Sequence, residues 1–424
     1  MKRKNHWVLF AILLLALINL SPSEETAQVR SDIDGDVQPM TPPQRVTFQE
    51  KGHIQVAVQM DESDFIYLQK MNQQFMEEHM IQVELVNISS EKRYATYQRE
   101  QLKLGNSPDV LLLDNVWIRR FAADGYLLPT ESYFSGSLSG EVLSASLTPN
   151  EWNGYVWGVP MDTDPYVYVY NPTLLKQYGI EHPPESAEAW GTMFALYHKQ
   201  PFAQHLLAFN FDDSNAVMTL LWQMGGGLKP GEQDGSLFAM TGELQNSLQR
   251  LEQIRPFLWN ARLASTADED LWNQFYNGDV AFILTKASEA KKHQFPRASI
   301  LFPKLKQDRM TTWIGGRSYA VSSQTQNPEA AGLWISAMTS QQNQLRWYEF
   351  TGNLPVIKTI YYDPDMSDLP KWVPATLPAG SGISMPAEAS LPGKMEKLSK
   401  LSESYLTGSM TLKQFKESLG SVGK

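Results

Sequence analysis

WNGYVWGVPMDTDPYVYVYN, residues 152–171, is where the fold is decided. Asn153-Gly154 between aromatic residues marks a tight hairpin turn. Val159-Pro160 follows, then Asp162, Thr163 and Asp164, then a run from Tyr166 to Tyr170 that alternates tyrosine with valine. β-branched and aromatic residues at this spacing predict a strand, and one too apolar on both faces to be exposed. Two carboxylates and a hydroxyl set between a turn and a buried strand call for a partner or a ligand.

Upstream, Ile54, Val56 and Val58 alternate as a strand does. Phe65, Leu68, Phe75 and Met76 recur at helical spacing, with Asp64 placed to cap that helix. Ile81, Val83 and Leu85 form a second strand; a polar helix over 91–104 ends at Gly105; "VLLL" (110–113) reads as a strand covered on both faces. This β-α-β-α-β order predicts a parallel sheet with helices on both sides. Ligands of such sheets sit beyond the carboxyl ends of the strands. Asp61 and Glu62 lie just past the first strand, and Asp114, Asn115 and Trp117 just past the third. These five are expected together at one sheet edge. Downstream, helices are predicted near 185–200, 214–224, 242–256, 268–276, 328–339 and 341–350, and over 388–419 in two pieces broken at Gly408. Strands are predicted at 279–284, 299–303 and 318–322. Both halves are therefore α/β, without an internal repeat.

The 424 residues suffice for two or three domain-sized cores. A net charge of −10 and the lack of a long basic stretch argue against nucleic acid. The chain has no cysteine, which excludes disulfides, thiolate zinc sites and thiol nucleophiles. Lys2-Arg3-Lys4 followed by an apolar run over 7–20 reads as a signal or anchor segment, 1–20. Residues 21–51, rich in Ser, Pro, Asp, Gln and Glu, read as a flexible tether.

Five blocks, in order, resemble family 1 of the extracellular solute-binding proteins, the receptors of bacterial ABC sugar importers. They are the 152–171 stretch continuing into "PTLLKQYGIEHPPES", "NGDVAFIL" (277–284), "GGRSYAVSSQTQNPEAAGLWISAMTSQQNQ" (315–344), "TGNLPV" (351–356) and "YLTGSMTLKQFKESL" (405–419). The resemblance spans about residues 52–419. It implies an α/β, two-lobe, type II periplasmic-binding-protein-like fold with hinge strands and an interlobe ligand cleft. Lobe 1 would comprise 52–163 plus 302–340, and lobe 2 164–301 plus 341–424. Residues 165–171 would be a hinge strand, and the lobes would close on the ligand. The resemblance further implies a monomer, exported to the outer face of the cell membrane. There it would capture a carbohydrate, an oligosaccharide being favoured, and deliver it to ABC permease subunits without a cofactor, a metal or catalysis. Two alternatives stand beside this: a sugar-binding sensor accessory uncoupled from transport, and a receptor for an anionic or amine solute.

A sugar offers hydroxyls to carboxylates and apolar C–H faces to aromatic rings. Asp162, Thr163 and Asp164 are accordingly expected at the cleft wall. Asp164 leads, as a solvent-reachable acid whose removal would leave the fold intact. Tyr166, Trp117, Trp222 and Trp313 are the stacking candidates, and Gly316 lies at the second lobe crossing. Arg317 could meet an acidic sugar or pair with a neighbouring aspartate, the internal pair being favoured. Asp213 and Asn215 precede a helix, where Asp213 or Ser214 serves as N-cap. The sequence departs from the family pattern in three places. "LINLSPS" (17–23) has no lipobox cysteine, so the exported chain is expected to be non-lipidated. "TKAS" (285–288) puts Lys286 or Ser288 where an aromatic is expected, and "MPAEASLPGK" (385–394) also lacks one.

Enzyme motifs fail. None of the seven histidines has zinc-hydrolase spacing, and no G-x-S-x-G or phosphate-binding loop occurs. S-x-x-K arises at Ser89 with Lys92 and at Ser288 with Lys291, but its S-D-N and K-T-G partners are missing.

Overall fold

The computed structural model describes residues 52–422 apart from 91–92, 139, 182, 202, 227–237, 262–267, 294–297, 304–311, 364–372, 374–376 and 378–384, with only the backbone of 268–270. The signal and tether readings and Lys92 lie outside the described residues.

The elements run β1 (His53–Val58), α1 (Glu62–His79), β2 (Gln82–Asn87), α2 (Tyr94–Lys103), β3 (Val110–Asp114), α3 (Asn115–Ala123), the hairpin β4 (Glu151–Trp152) and β5 (Tyr155–Val156), and β6 (Val159–Tyr170). They continue with α4 (Pro172–Gln177), α5 (Ala187–Lys199), β7 (His205–Phe209), α6 (Ser214–Leu221), α7 (Gly242–Ile254), β8 (Leu258–Asn260), α8 (Asp268–Asn277), β9 (Val280–Lys286) and α9 (Ala287–Lys292). The chain ends with β10 (Ser299–Leu301), β11 (Ile314–Val321), α10 (Pro328–Met338), α11 (Gln341–Thr351), α12 (Leu391–Leu406) and α13 (Leu412–Val422). Strands β7 and β8 have no counterpart in the sequence reading, and β11 starts four residues earlier than expected, because Gly315 and Gly316 are inside it. Helix α1 starts at Glu62, so Asp61 rather than Asp64 holds the N-cap position.

One sheet runs through the molecule in the order β2-β1-β3-β11-β6-β9-β7-β8, with β10 paired to β6. β1 is parallel to β2 and β3, as the β-α-β-α-β order predicts. β11 returns antiparallel between β3 and β6. In β3, Val110 and Leu112 face one apolar core, and Leu111 and Leu113 the other. That is the two-sided burial that a continuous apolar run requires. A separate core gathers the second half of β6 with β7, β9 and their helices. The fold is thus two α/β lobes sharing one curled sheet.

β6 belongs to both lobes. Val159 to Pro165 pair with β11, and Tyr166 to Tyr170 pair with β9. Asp162, Thr163 and Asp164 are therefore inside a twelve-residue strand rather than in a turn before it. Two other segments meet β6 at this level. Trp313 O accepts from the Tyr166 N–H at 3.0 Å, and Thr163 exchanges backbone hydrogen bonds of 2.9 Å in both directions with Leu354.

Candidate functional site

Strand periodicity sorts the residues of β6. Side chains alternate between faces, so Asp162, Asp164 and Tyr166 share one face and Thr163 takes the other. The first three line a cavity of about 710 Å³ between the lobes. Thr163 is fully buried and donates its hydroxyl to the Gly315 carbonyl at 2.9 Å.

Asp162 is 1% exposed and completely engaged. It accepts from the Arg317 N–H at 3.1 Å, from Arg317 Nε at 3.1 Å, from the Arg317 Nη2 and from Trp347 Nε1 at 3.2 Å. Burial works against the guanidinium charge, but the Asp162 carboxylate outweighs it and raises the Arg317 pKa. The internal pair favoured for Arg317 is thus present. Gly316 is required by close approach: a Cβ there would lie 2.5 Å from the Asp162 carbonyl oxygen.

Asp164 is 7% exposed, which overturns its reading as a solvent-reachable acid with nothing to orphan. It accepts from the Ser288 N–H at 2.9 Å, the Ser288 hydroxyl at 2.6 Å and Asn353 Nδ2 at 3.4 Å. Burial raises its pKa, against the nearby Lys286 ammonium. Tyr166 donates its hydroxyl to Asp213 Oδ2 at 2.6 Å. The other Asp213 oxygen caps α6, accepting from the N–H groups of Asn215 and Ala216 at 3.0 and 3.2 Å.

The first-lobe wall comes from the carboxyl ends of β1 and β3, as the parallel sheet predicts. Asp61, Asp64, Asp114 and Trp117 line the cavity there. Asp114 also caps α3 through Val116 N–H at 3.0 Å. Opposite lie Asp213, Asn215, Lys286 and Ser288, with Met395 and Glu396 from α12. Burial would lower the Lys286 pKa, but Asp164, Asp213 and Asp114 together raise it.

Of the residues singled out by sequence, Asp61, Asp114, Trp117, Asp162, Asp164, Tyr166, Asp213, Asn215, Gly316 and Arg317 line the cavity. Glu62, Asn115, Thr163, Trp222 and Trp313 do not. Asn115 is buried and accepts from the Ser318 hydroxyl at 2.6 Å. Trp222 and Trp313 stack on each other, ring centroids 5.7 Å apart, inside the second-lobe core. Asp64 escaped the site reading because its place before an apolar helix fitted a cap. Lys286 and Ser288 were visible only as a departure from the family pattern. Nothing local marks Glu396, which the topology brings in from far down the chain.

The cavity can accept hydrogen bonds at several carboxylates and donate them from Lys286, and it offers one partly exposed indole, Trp117. Among the described residues, no group of three or more His, Asp and Glu is arranged to hold a metal ion.

The chain is 22% identical over 312 residues to the maltodextrin-binding protein MdxE of Bacillus subtilis, covering 71% of this chain and 72% of that one. It is 25% identical over 309 residues to a galactooligosaccharide-binding protein of the same organism, covering 68% and 70%. Its fold is similar to that of maltose-bound T. maritima MalE3, with a TM-score of 0.71, 20% identity, and coverage of 87% of this chain and 98% of that one. Residues 70–375 match the family described as bacterial extracellular solute-binding protein (SBP_bac_8), and the chain belongs to that family.

Proposed function

We propose that this protein is an extracellular receptor that captures a carbohydrate in the interlobe cleft and delivers it to the permease subunits of an ABC importer. The observation that carries the reading is the cleft itself. It sits where β6 passes from one lobe to the other, with hydrogen-bonding carboxylates and the Trp117 ring on its walls. Polar groups that fix hydroxyls beside an aromatic face are what a sugar requires. The maltodextrin and galactooligosaccharide names of the relatives point the same way.

In this reading the lobes are 52–163 with 302–340 and 164–301 with 341–424. The ligand contacts are Asp61, Asp114, Trp117, Lys286, Asp213 and Asn215, while Asp162, Asp164 and Arg317 hold the wall in shape. The protein acts as an exported, non-lipidated monomer and does not turn its ligand over. A thermal-shift series with maltotriose, a galactooligosaccharide and glucosamine oligomers tests it. Binding to the folded state at about a hundredfold excess over Kd adds about 2.7 kcal/mol of stability, a shift of several degrees. A melting temperature that no saccharide moves, or steady release of shorter products, overturns the reading.

A further inference from the structure

We infer that the ligand carries a protonated amine, an amino sugar within the carbohydrate class proposed above, and that Asp64 and Asp114 on the first-lobe wall receive it. The inference rests on that carbohydrate reading and narrows it. Nine carboxylates and only four cations line the cavity. Three of those cations are committed to carboxylates. Arg317 pairs with Asp162, Lys292 with Glu289 at 2.9 Å, and Arg93 with Glu396. Lys286 stands in the combined field of Asp164, Asp213 and Asp114. An anionic ligand would find Lys286 alone, already in the field of three carboxylates, and the negative surplus of the lining would repel it.

The surplus is concentrated on one wall. Asp64 is 7% exposed, and the structure gives it a single hydrogen bond, at 3.5 Å, from the neighbouring Ser63 hydroxyl. Among the described residues, no Lys, Arg or His forms an ion pair with it. Burying a carboxylate in this way is costly unless something compensates it, and its open side is the cavity. Asp114 reaches the water of the cleft with one oxygen spent on capping α3 and the other without a hydrogen bond. Both carboxyls line the same cavity, on the wall built from the first lobe. Desolvation by the cleft walls raises the pKa of each: Asp64 against Lys292 and Arg317 and with Asp61 and Asp162, Asp114 against the Val116 N–H, Lys286 and Arg317 and with Asp162. An arriving ammonium supplies the missing countercharge and favours the ionised carboxylates, whereas a neutral sugar supplies none.

The test is isothermal calorimetry on the full chain at low ionic strength, with glucosamine trisaccharide, its N-acetylated counterpart and maltotriose. Spermidine serves as an amine without a sugar. The expected result is binding of the glucosamine trisaccharide at least about tenfold tighter than either neutral sugar, as one charge-assisted hydrogen bond warrants. Asp64→Asn and Asp114→Asn should each reduce the preference. Equal affinity for the amine and neutral trisaccharides, or a preference that survives both substitutions, overturns the inference and leaves the carbohydrate reading standing. Tight spermidine binding with no saccharide binding retains the charge assignment and overturns the carbohydrate reading. No binding by any of the four overturns both.

Discussion

Asp164 and Ser288 lie 124 positions apart, yet one carboxylate oxygen takes the Ser288 N–H at 2.9 Å and the other takes its hydroxyl at 2.6 Å. Ser288 stands in the first turn of α9, where backbone N–H groups lack partners within the helix. A carboxylate from the strand that joins the lobes thus serves as the N-terminal cap of a second-lobe helix. Asp164→Ala leaves three buried donors, the Ser288 N–H and hydroxyl and the Asn353 amide, without this acceptor, and the expected loss is about 2–4 kcal/mol of stability in urea unfolding. Asp164→Asn, which keeps one acceptor, should lose less than half of that. An unchanged midpoint for Asp164→Ala would show that the contact adds nothing to the fold.

Asp64 gives the ligand-free protein a pH dependence of unusual sign. Its pKa is raised in the folded state from an ordinary value of 3.8, because it is buried. The folded chain therefore holds a proton there that the unfolded chain gives up. Its contribution to stability is complete below about 3.8 and is lost as the pH rises through the folded value. Asp64→Asn cannot titrate. Its stability relative to the wild type should climb across this window and then level off, as followed by urea midpoints between pH 3.5 and 8. A flat difference would contradict the assignment.

Trp117, partly exposed and edge-on to Phe121 with ring centroids 6.3 Å apart, is the accessible indole on the first-lobe wall. Trp117→Ala should weaken sugar binding about tenfold through loss of an aromatic face worth roughly 1 kcal/mol or more. Of the other two cavity-lining rings, Tyr166 is buried with its hydroxyl held by Asp213, and Tyr94 is partly buried with its hydroxyl donated to the Ala57 carbonyl at 2.6 Å. Trp117→Phe should restore most of the affinity, and ligand should quench tryptophan fluorescence in the wild type but much less in the variant.

Two ion pairs span the mouth of the cleft, Arg93 with Glu396 and Lys292 with Asp61, the latter at 3.5 Å. Both are exposed enough that each contributes at most about 1 kcal/mol, and salt screens them. They favour the closed arrangement only. Removing both with Arg93→Ala and Lys292→Ala should weaken ligand binding by less than about thirtyfold. It should also raise the fraction of open molecules seen by small-angle scattering and reduce the salt dependence of affinity. A larger radius of gyration in high salt for the wild type alone is the expected signature.

Much of this molecule was readable in its sequence, and the unread parts share a physical cause. The parallel β1-β2-β3 unit was visible because each strand is separated by a helix-length segment of different periodicity. Strand β7, five residues of "HLLAF", was not, since a short apolar run carries no periodicity to tell it from a helix edge. The twelve-residue β6 was cut short in the reading because Asp162, Pro160 and Pro165 look like turn residues. The Arg317 ion pair and the Gly315–Gly316 strand pairing are what make a strand possible there. Trp222 and Trp313 read as stacking candidates with cleft and core equally open, and they stack on each other in the core. The choice between a cleft and a core is made by tertiary contacts that single-sequence patterns do not encode. Asp164 was placed beside the cleft, but its partner Ser288 depended on knowing the register of β6 against β9.

The position of β11 has a consequence in time rather than space. Lobe 1 holds its edge open at β3 until residues 314–321 arrive to pair with it, and Trp334, which donates to Asn72 at 2.8 Å, comes later still. At roughly 5–20 residues per second, the two hundred or so residues separating β3 from β11 take on the order of ten to forty seconds to synthesise. Throughout that interval the N-terminal segment is a half-built sheet with an unpaired edge and an apolar face. A nascent chain of this design stays unfinished until most of it has left the ribosome, which keeps it available to whatever must thread or escort it unfolded.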